Sequence, residues 1–299
     1  MKELSSLLSN MPPSATIAVS DKANALRRDG RDIIALAGGD PNFKTAPHII
    51  EAGINAIHNG HTNYPAPSKG IIPALEAIAA KTEQDSGVAV NPMTDIIITP
   101  GGKWGLALAL GSIINPGDEV LCLEPVWVSY PPLVQISGGT PVMVSLPSDD
   151  NFRITAELLE AKITSKTKAL MLTSPSNPTG RVLTREEADA IVQVCTKHDL
   201  FLIHDELYEK LIFDGAHISM FGEPSMAERT FVVNGLSKGY AMTGWRLGGA
   251  IGPEESIAAI TKMNVNEESC TNHFLQYAGI EALTGVSYQK IDDQGENYG

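Results

Sequence analysis

The sequence predicts an α/β fold built on a mainly parallel sheet. From residue 95 onward, short and almost wholly apolar runs recur along the chain. Amphipathic segments that begin with helix-start residues separate them, and turns rich in Gly, Pro and Asn lie between the two. Strands that are apolar on both faces are typical of a parallel sheet covered by helices on each side.

Seven apolar runs are the predicted strands of this sheet. In chain order they are DIIITP (95–100), EVLCLEP (119–125), TPVMVSL (140–146), TKALMLTSP (167–175), FLIHDELY (201–208), RTFVVNGL (229–236) and WRLGGAIG (245–252). The predicted helices between them include a stretch of small and apolar residues that follows Gly101-Gly102 and runs through Ile113, and two segments that begin at Thr155 and Thr184.

Composition limits the function. The 299 residues carry a formal net charge of −13, which argues against nucleic acid as a partner because phosphates need a basic face. Three widely spaced cysteines without a CxxC pair indicate reduced thiols. The first residues lack a cleavable leader, and no apolar stretch approaches the ~20 residues that span a bilayer. We expect a cytoplasmic protein that does not enter the membrane.

In an open parallel sheet, ligands bind at the carboxyl ends of the strands. The segment LSKGYAMTGWRLGG (236–249) follows one such strand. A lysine in a loop of small residues, Lys238, needs a partner or a covalent use. Ser237 and Arg246 beside it are suited to bind a dianion.

The string SKxxAMTGWRLG resembles the cofactor-lysine motif of the class I and II aminotransferases, which are fold-type-I enzymes dependent on pyridoxal 5′-phosphate (PLP). The resemblance implies the large domain of that fold, with an N-terminal arm and a shortened small domain. It also implies that Lys238 carries PLP covalently, and that Ser237 and Arg246 hold its phosphate.

Two further motifs agree with this family. SPSNPTG (174–180) resembles the turn whose asparagine, here Asn177, bonds the phenolic oxygen of PLP. IHDELYEKLIFDG (203–215) resembles the family's D-E-x-Y-E signature. The resemblance implies that Asp205 pairs with the pyridine nitrogen and that Tyr208 is a second donor to the phenolic oxygen.

The same segment contains other titratable residues. We interpret Glu206 and Glu209 as partly exposed acids at a helix start or in a loop. His204 could suggest a metal ligand, but no spaced set of histidines accompanies it. We therefore expect no metal.

TPGGKWGL (99–106) sets two glycines between a strand and a helix, as in phosphate-binding loops. By resemblance, Gly102 and Lys103 contact the cofactor phosphate, and Lys103 also neutralises the distal carboxylate of a dicarboxylic substrate. EPVWVSYPP (124–132) supplies Trp127, which the resemblance stacks on the pyridine ring and places near substrate with Asn177.

Two N-terminal motifs complete the resemblance. LAGGDPNF (36–43) matches a turn that contacts substrate through Gly39. TNYPAPSKG (62–70) matches a segment whose tyrosine, Tyr64, reaches the phosphate of the neighbouring subunit. This implies a homodimer with a shared active site.

The resemblance runs from about Pro13 to about Thr284. The family's C-terminal segment, with the arginine that binds the substrate α-carboxylate, has no counterpart, and no arginine follows Arg246. Pro12 replaces a lysine of some aspartate/prephenate members, which lowers the case for prephenate. We expect an arm and small-domain part at 1–45, a PLP-binding domain at 46–284 and a polar tail at 285–299.

The predicted function is transfer of an amino group between an amino acid resembling aspartate or glutamate and a 2-oxo acid. Two alternatives stay open: a PLP-dependent lyase, decarboxylase or oxidase, and a catalytically silent PLP-binding protein. A dinucleotide-dependent dehydrogenase is a poor alternative, because no G-x-G-x-x-G with a downstream acid follows the first strands.

Overall fold

A computed structural model describes residues 5–11, 13–34, 36 and 38–285 of the chain. Its strands lie close to the predicted runs, and each ends within a few residues of the run's last apolar position. They are β1 (Ile96–Thr99), β2 (Glu119–Glu124), β3 (Thr140–Ser145), β4 (Thr167–Thr173), β5 (Phe201–Asp205), β6 (Thr230–Gly235) and β7 (Gly248–Ile251).

Helices precede, separate and follow these strands. They are α1 (Ser6–Asn10), α2 (Ala15–Arg28), α3 (Pro47–His58), α4 (Ile72–Ser86), α5 (Gly102–Ile113), α6 (Tyr130–Ile136), α7 (Ala156–Glu160), α8 (Arg185–Lys197), α9 (Glu254–Glu267) and α10 (His273–Thr284).

The predicted helix starts are confirmed. The Thr155 hydroxyl accepts a hydrogen bond from the Leu158 amide and caps α7. At α8, Thr184 and Glu187 form a reciprocal capping box, in which each side chain bonds the other's backbone amide. Each cap satisfies amide groups that a helix leaves without partners in its first turn.

The seven strands form one sheet in the order β1-β7-β6-β5-β4-β2-β3. β7 runs antiparallel to both of its neighbours, β1 and β6, and the remaining pairs are parallel. This confirms the mainly parallel α/β sheet. The carboxyl ends of β2, β4, β5 and β6 therefore meet at one edge, where the loops that follow these strands come together.

Helices cover both faces of the sheet. On one face α5, α6 and α9 pack over a cluster that includes Ile203, Phe231 and Val233. On the other face α3, α4 and α10 cover one end of the sheet, and α7 and α8 cover the other. Because alternate strand residues point to opposite faces, Asp205 shares the face of Ile203, while His204 shares that of Leu202.

The N-terminal helices differ from the rest. Among the side chains described in α1 and α2, none is buried. The expected domain boundaries stay a prediction, and both Pro12 and the predicted tail beyond residue 285 lie outside the described residues. In the part of the chain that the structure covers, no helix has the length and apolar character to cross a bilayer.

Candidate active site

The loops at the carboxyl edge of the sheet bring most of the predicted residues together. The glycine loop follows β1 and opens α5, and Trp127 lies between β2 and α6. Asn177 follows β4, Tyr208 follows β5, and Lys238 follows β6. Arg246 lies just before β7 and closes the same group.

Arg246 lies against the N-terminus of α5. A Cβ built on Gly101 would be 2.5 Å from the Arg246 Nη2, so only glycine leaves room for the guanidinium. Gly101 has a φ of 87°, a conformation that glycine adopts without strain. Arg246 Nη1 also donates to the Thr243 carbonyl at 3.0 Å. The guanidinium is thus held beside the free amides of the helix start, a combination that favours a phosphate.

Three cations gather at this helix start. Burial lowers the pKa of Lys103 and of Lys238, and the charge of Arg246 lowers both further. Within the described residues, none of the three forms an ion pair. Unpaired cations in a chain of net charge −13 indicate a bound anion.

Lys238 is half-buried, and its Nζ donates to the Gly39 carbonyl. Its lowered pKa has burial as the main cause, whereas nearby Asp40 acts in the opposite direction. A lysine with a lowered pKa is more often neutral near pH 7, and only the neutral amine attacks a carbonyl. The contact also brings the predicted Gly39 turn to the same site.

Asp205 ends β5 and is 6% exposed. Its Oδ2 accepts a hydrogen bond from the Tyr130 hydroxyl at 2.8 Å, and its Oδ1 accepts one from the Leu207 amide at 3.2 Å. Burial raises the pKa of Asp205 to about 6, although the Tyr130 hydrogen bond favours the charged form. A carboxylate so placed is stabilised by a cation in the cavity that it faces.

Asn177 and Tyr208, which the motifs assign to the same cofactor oxygen, lie in contact with each other. Asn177 Nδ2 donates to the Tyr208 hydroxyl at 3.2 Å. Burial, together with the charge of Asp205, raises the pKa of Tyr208, and the Asn177 hydrogen bond acts against this rise. The pair therefore presents neutral donors on the side of Asp205, where a phenolic oxygen could be bound.

Trp127 forms a wall of the site. Lys103 Nζ lies 4.9 Å from the centre of its ring, and the Tyr130 ring packs edge-on against it with centroids 5.3 Å apart. Tyr130 is a residue that the sequence motifs did not reveal. It lies 75 positions before Asp205, so no local pattern connects the two.

The interpretation of Glu206 and Glu209 as partly exposed acids is wrong. Glu206 is 1% exposed and Glu209 is 9% exposed. Glu206 pairs with the imidazoles of His204 at 2.9 Å and His217 at 3.4 Å, and Glu209 pairs with Lys81 at 3.2 Å. Both acids are buried beside partners from three segments: Lys81 in α4, His204 in β5 and His217 in the loop after β5.

The position of His204 is explained by its contact with Glu206. Its Nδ1 faces the carboxylate, and the Ser219 hydroxyl donates to the same carboxylate at 2.6 Å. Among the described residues, no cluster of three or more His, Cys, Asp or Glu side chains has an arrangement that could hold a metal.

Tyr64 does not join the site within one chain. Its side chain is 81% exposed, away from the contacts described above. The prediction that it reaches a neighbouring subunit therefore stays a prediction.

The donor set fits PLP. The phosphate would lie at the start of α5 beside buried Ser237 and Arg246, whose guanidinium lies against Gly101. The ring nitrogen would meet Asp205, whose pKa is raised by burial. Asn177 and Tyr208 would meet the phenolic oxygen, and Lys238 is the amine for the aldehyde.

Comparison with known proteins agrees with this geometry. The family model described as aminotransferase class I and II matches residues 31–294. The chain belongs to the class I and II aminotransferases. Like other members, it is a PLP-dependent enzyme that transfers amino groups.

Individual members of the class I and II aminotransferases are similar over most of the chain. The aspartate aminotransferase of Geobacillus stearothermophilus is 40% identical over 285 residues, which are 95% of this chain and 72% of that protein. The aspartate/prephenate aminotransferase of Thermus thermophilus is 42% identical and covers 95% of this chain and 73% of its own length.

Solved structures of such aminotransferases share the fold. The aspartate aminotransferase of Thermus thermophilus with maleate superposes with a TM-score of 0.91 at 42% identity, over 95% of this chain and 73% of that one. The enzyme of Rhizobium meliloti gives 0.91 at 36% identity, over 96% and 72% of the two chains.

Proposed function

We propose that this aminotransferase acts on aspartate, or a closely similar dicarboxylic amino acid, with a 2-oxo acid as acceptor. The observation that carries the proposal is the group of three cations at the start of α5, none of which has an ion-pair partner among the described residues. Two of them, Arg246 and Lys238, serve the cofactor. The third, Lys103, is left for the substrate.

In this proposal, the site residues hold the cofactor at each of its polar groups. Arg246, Ser237 and the first amides of α5 bind the phosphate. Asp205 binds the ring nitrogen and keeps it protonated, Asn177 and Tyr208 bind the phenolic oxygen, and Trp127 packs on the ring face. When bound, PLP supplies an electron sink for the pair released at the substrate Cα.

Lys238 has two roles. Its Nζ would hold the aldehyde carbon of PLP covalently when the cofactor is bound. As a free amine, the same Nζ would accept the proton from the substrate Cα and deliver it at C4′. Both roles require a neutral amine, which the lowered pKa of Lys238 favours near pH 7.

Lys103 supports the dicarboxylic substrate. Its Nζ lies over the Trp127 ring, at the wall beside the predicted substrate position, and it has no ion-pair partner in the described part of the chain. A distal carboxylate would supply that partner. The similar enzyme of Thermus thermophilus was solved with maleate, itself a four-carbon dicarboxylate.

We further propose that two chains pair in the cytoplasm. The support is the exposed Tyr64, which by resemblance reaches a neighbour's phosphate site, and three free cysteines, which are typical of a reducing compartment.

The test is the half-reaction of the PLP-loaded protein, followed by absorbance. With aspartate, the band of the lysine-bound cofactor should give way to that of pyridoxamine phosphate. Lys103→Met should slow this reaction about tenfold with aspartate, because one hydrogen bond to a charged group is lost and such a bond contributes about that factor. The rate with alanine, which has no distal carboxylate, should stay unchanged.

An exposed lysine provides the control: Lys162→Met should change neither rate. Release of ammonia or carbon dioxide without pyridoxamine phosphate would favour a lyase, oxidase or decarboxylase. Equal losses with aspartate and alanine in Lys103→Met would contradict the role of Lys103.

A further inference from the structure

A single hydroxyl bridges two positions, Ala241 and Trp245, of the loop that runs from Lys238 to Arg246. Thr45 Oγ1 donates to the Ala241 carbonyl at 2.6 Å and accepts from the Trp245 indole Nε1 at 3.0 Å. Ala241 lies three residues after Lys238, and Trp245 directly precedes Arg246. Thr45 belongs to a distant part of the chain, next to the N-terminus of α3.

The loop needs external support because its backbone is strained. Ala241 and Arg246 have φ angles of 50° and 52°, in the left-handed region that residues with a Cβ rarely adopt. Inside the loop, the Ala241 amide bonds the Lys238 carbonyl at 3.3 Å. Such strain persists only where surrounding contacts fix the backbone.

Packing fixes the rest of the loop in place. Met242 is fully buried, and the Trp245 ring lies so close to α3 that a Cβ on Gly53 would be 3.0 Å from it. Asp40 accepts a hydrogen bond from the Thr243 hydroxyl at 2.6 Å. The Thr45 hydroxyl contacts strained Ala241 and, at the same time, the side chain of Trp245, the residue before strained Arg246.

We propose that Thr45 is a positioning residue for the cofactor: its hydroxyl sets the distance between the Lys238 amine and the Arg246 guanidinium. This inference rests on the proposed roles of those two residues. A displacement of either end would separate the covalent attachment point from the phosphate site. Cofactor affinity should therefore depend on a side chain that does not touch the cofactor.

The experiment compares PLP affinity of the full-length apoprotein, by absorbance titration, in matched variants. Thr45→Val keeps the shape and removes both hydrogen bonds, and should weaken PLP binding about tenfold. Thr45→Ser retains the hydroxyl and should restore binding to within about threefold of the original. Thr82→Val is the control, since it removes another buried threonine hydroxyl, one that bonds only within α4.

A spectroscopic signal reports on the contact itself. The chain has three tryptophans, so three indole N–H resonances are expected in a nitrogen-proton correlation spectrum. Thr45→Val should move the Trp245 resonance, while that of Trp104, which donates to Asn264 Oδ1 at 2.8 Å, should stay in place. Trp245→Phe removes one of the two bonds and should weaken PLP binding by about three- to fivefold.

The outcomes distinguish the positioning role of Thr45 from the proposed cofactor site. A moved Trp245 resonance with unchanged PLP affinity in Thr45→Val overturns the positioning role alone. An original chain that binds no PLP overturns the proposed cofactor site and this inference with it. Should Thr45→Val not fold, unchanged PLP affinity in Trp245→Phe overturns the positioning role.

Discussion

Two adjacent acids at the end of β5 face opposite sides of the sheet and meet opposite surroundings. Asp205 points toward α5 and α6, where its side-chain partners are the neutral Tyr130 hydroxyl and a backbone amide. Glu206 points to the other face, where two imidazoles and the Ser219 hydroxyl surround it. Both carboxylates are almost completely buried.

The pKa shifts of the two acids follow from this difference. Burial raises the pKa of Asp205 to about 6. Burial acts in the same direction on Glu206, but the charge and hydrogen bonds of His204 and His217 outweigh it and hold the pKa of Glu206 below its usual range. A buried acid that the protein leaves without a cation marks a ligand site, whereas one that the protein pairs marks structure.

The largest effect that this comparison predicts is on catalysis. Asp205→Asn should lower kcat roughly 100- to 1000-fold, because a neutral amide cannot hold the cofactor nitrogen protonated.

The stability of the apoprotein should change in the opposite direction. An acid whose pKa is raised in the folded protein loses its stabilising contribution as the pH rises through about 6. At pH 8 the variant apoprotein should therefore be more stable by about 1–2 kcal/mol in urea unfolding. A stability loss at pH 8 would contradict the account of Asp205.

The complementary change is Glu206→Gln. It should destabilise the apoprotein by about 3 kcal/mol, since it leaves two buried imidazoles without their anion, and should change kcat by less than about fivefold. An acid whose pKa is lowered in the folded protein stabilises the fold at pH values above its ordinary pKa, and this stabilisation is lost as the pH falls. The difference from the original chain in urea unfolding should thus shrink in acid. Glu228→Gln, at an exposed residue, is the control. Equal changes of kcat and of stability in Asp205→Asn and Glu206→Gln would contradict the comparison of the two acids.

A smaller effect should come from Tyr130→Phe, which removes the hydrogen bond from the Tyr130 hydroxyl to Asp205 and keeps the edge contact with Trp127. We expect kcat to fall about tenfold, with PLP affinity within about threefold. Because the lost hydrogen bond favoured the charged carboxylate, the acid limb of the kcat–pH profile should move to higher pH. An unmoved acid limb would show that Tyr130 does not act through Asp205.

The sequence predicted the sheet because its strands depend on local patterns, and the proposed cofactor residues come from short local motifs as well. Apolar runs define the strands, and Lys238, Asp205 and Asn177 follow them at the edge where parallel strands end. Contacts between distant segments were not predictable in this way. Tyr130 reaches Asp205 across 75 positions, and Thr45 reaches Ala241 across 196.

The burial of Glu206 and Glu209 was missed for the same reason, because their partners include residues from elsewhere in the chain: Lys81 in α4 and His217 in the loop after β5. Tyr64 depends on a second chain, so its role stays a prediction.

The most direct test of the cofactor site is borohydride reduction of the PLP-loaded protein, followed by peptide mass spectrometry. Reduction fixes the cofactor to the amine that carries it. The account predicts one pyridoxyl group, on Lys238, and none in Lys238→Ala. A label on Lys103 or on any other lysine, or an unlabelled Lys238 in protein that has bound PLP, would contradict it.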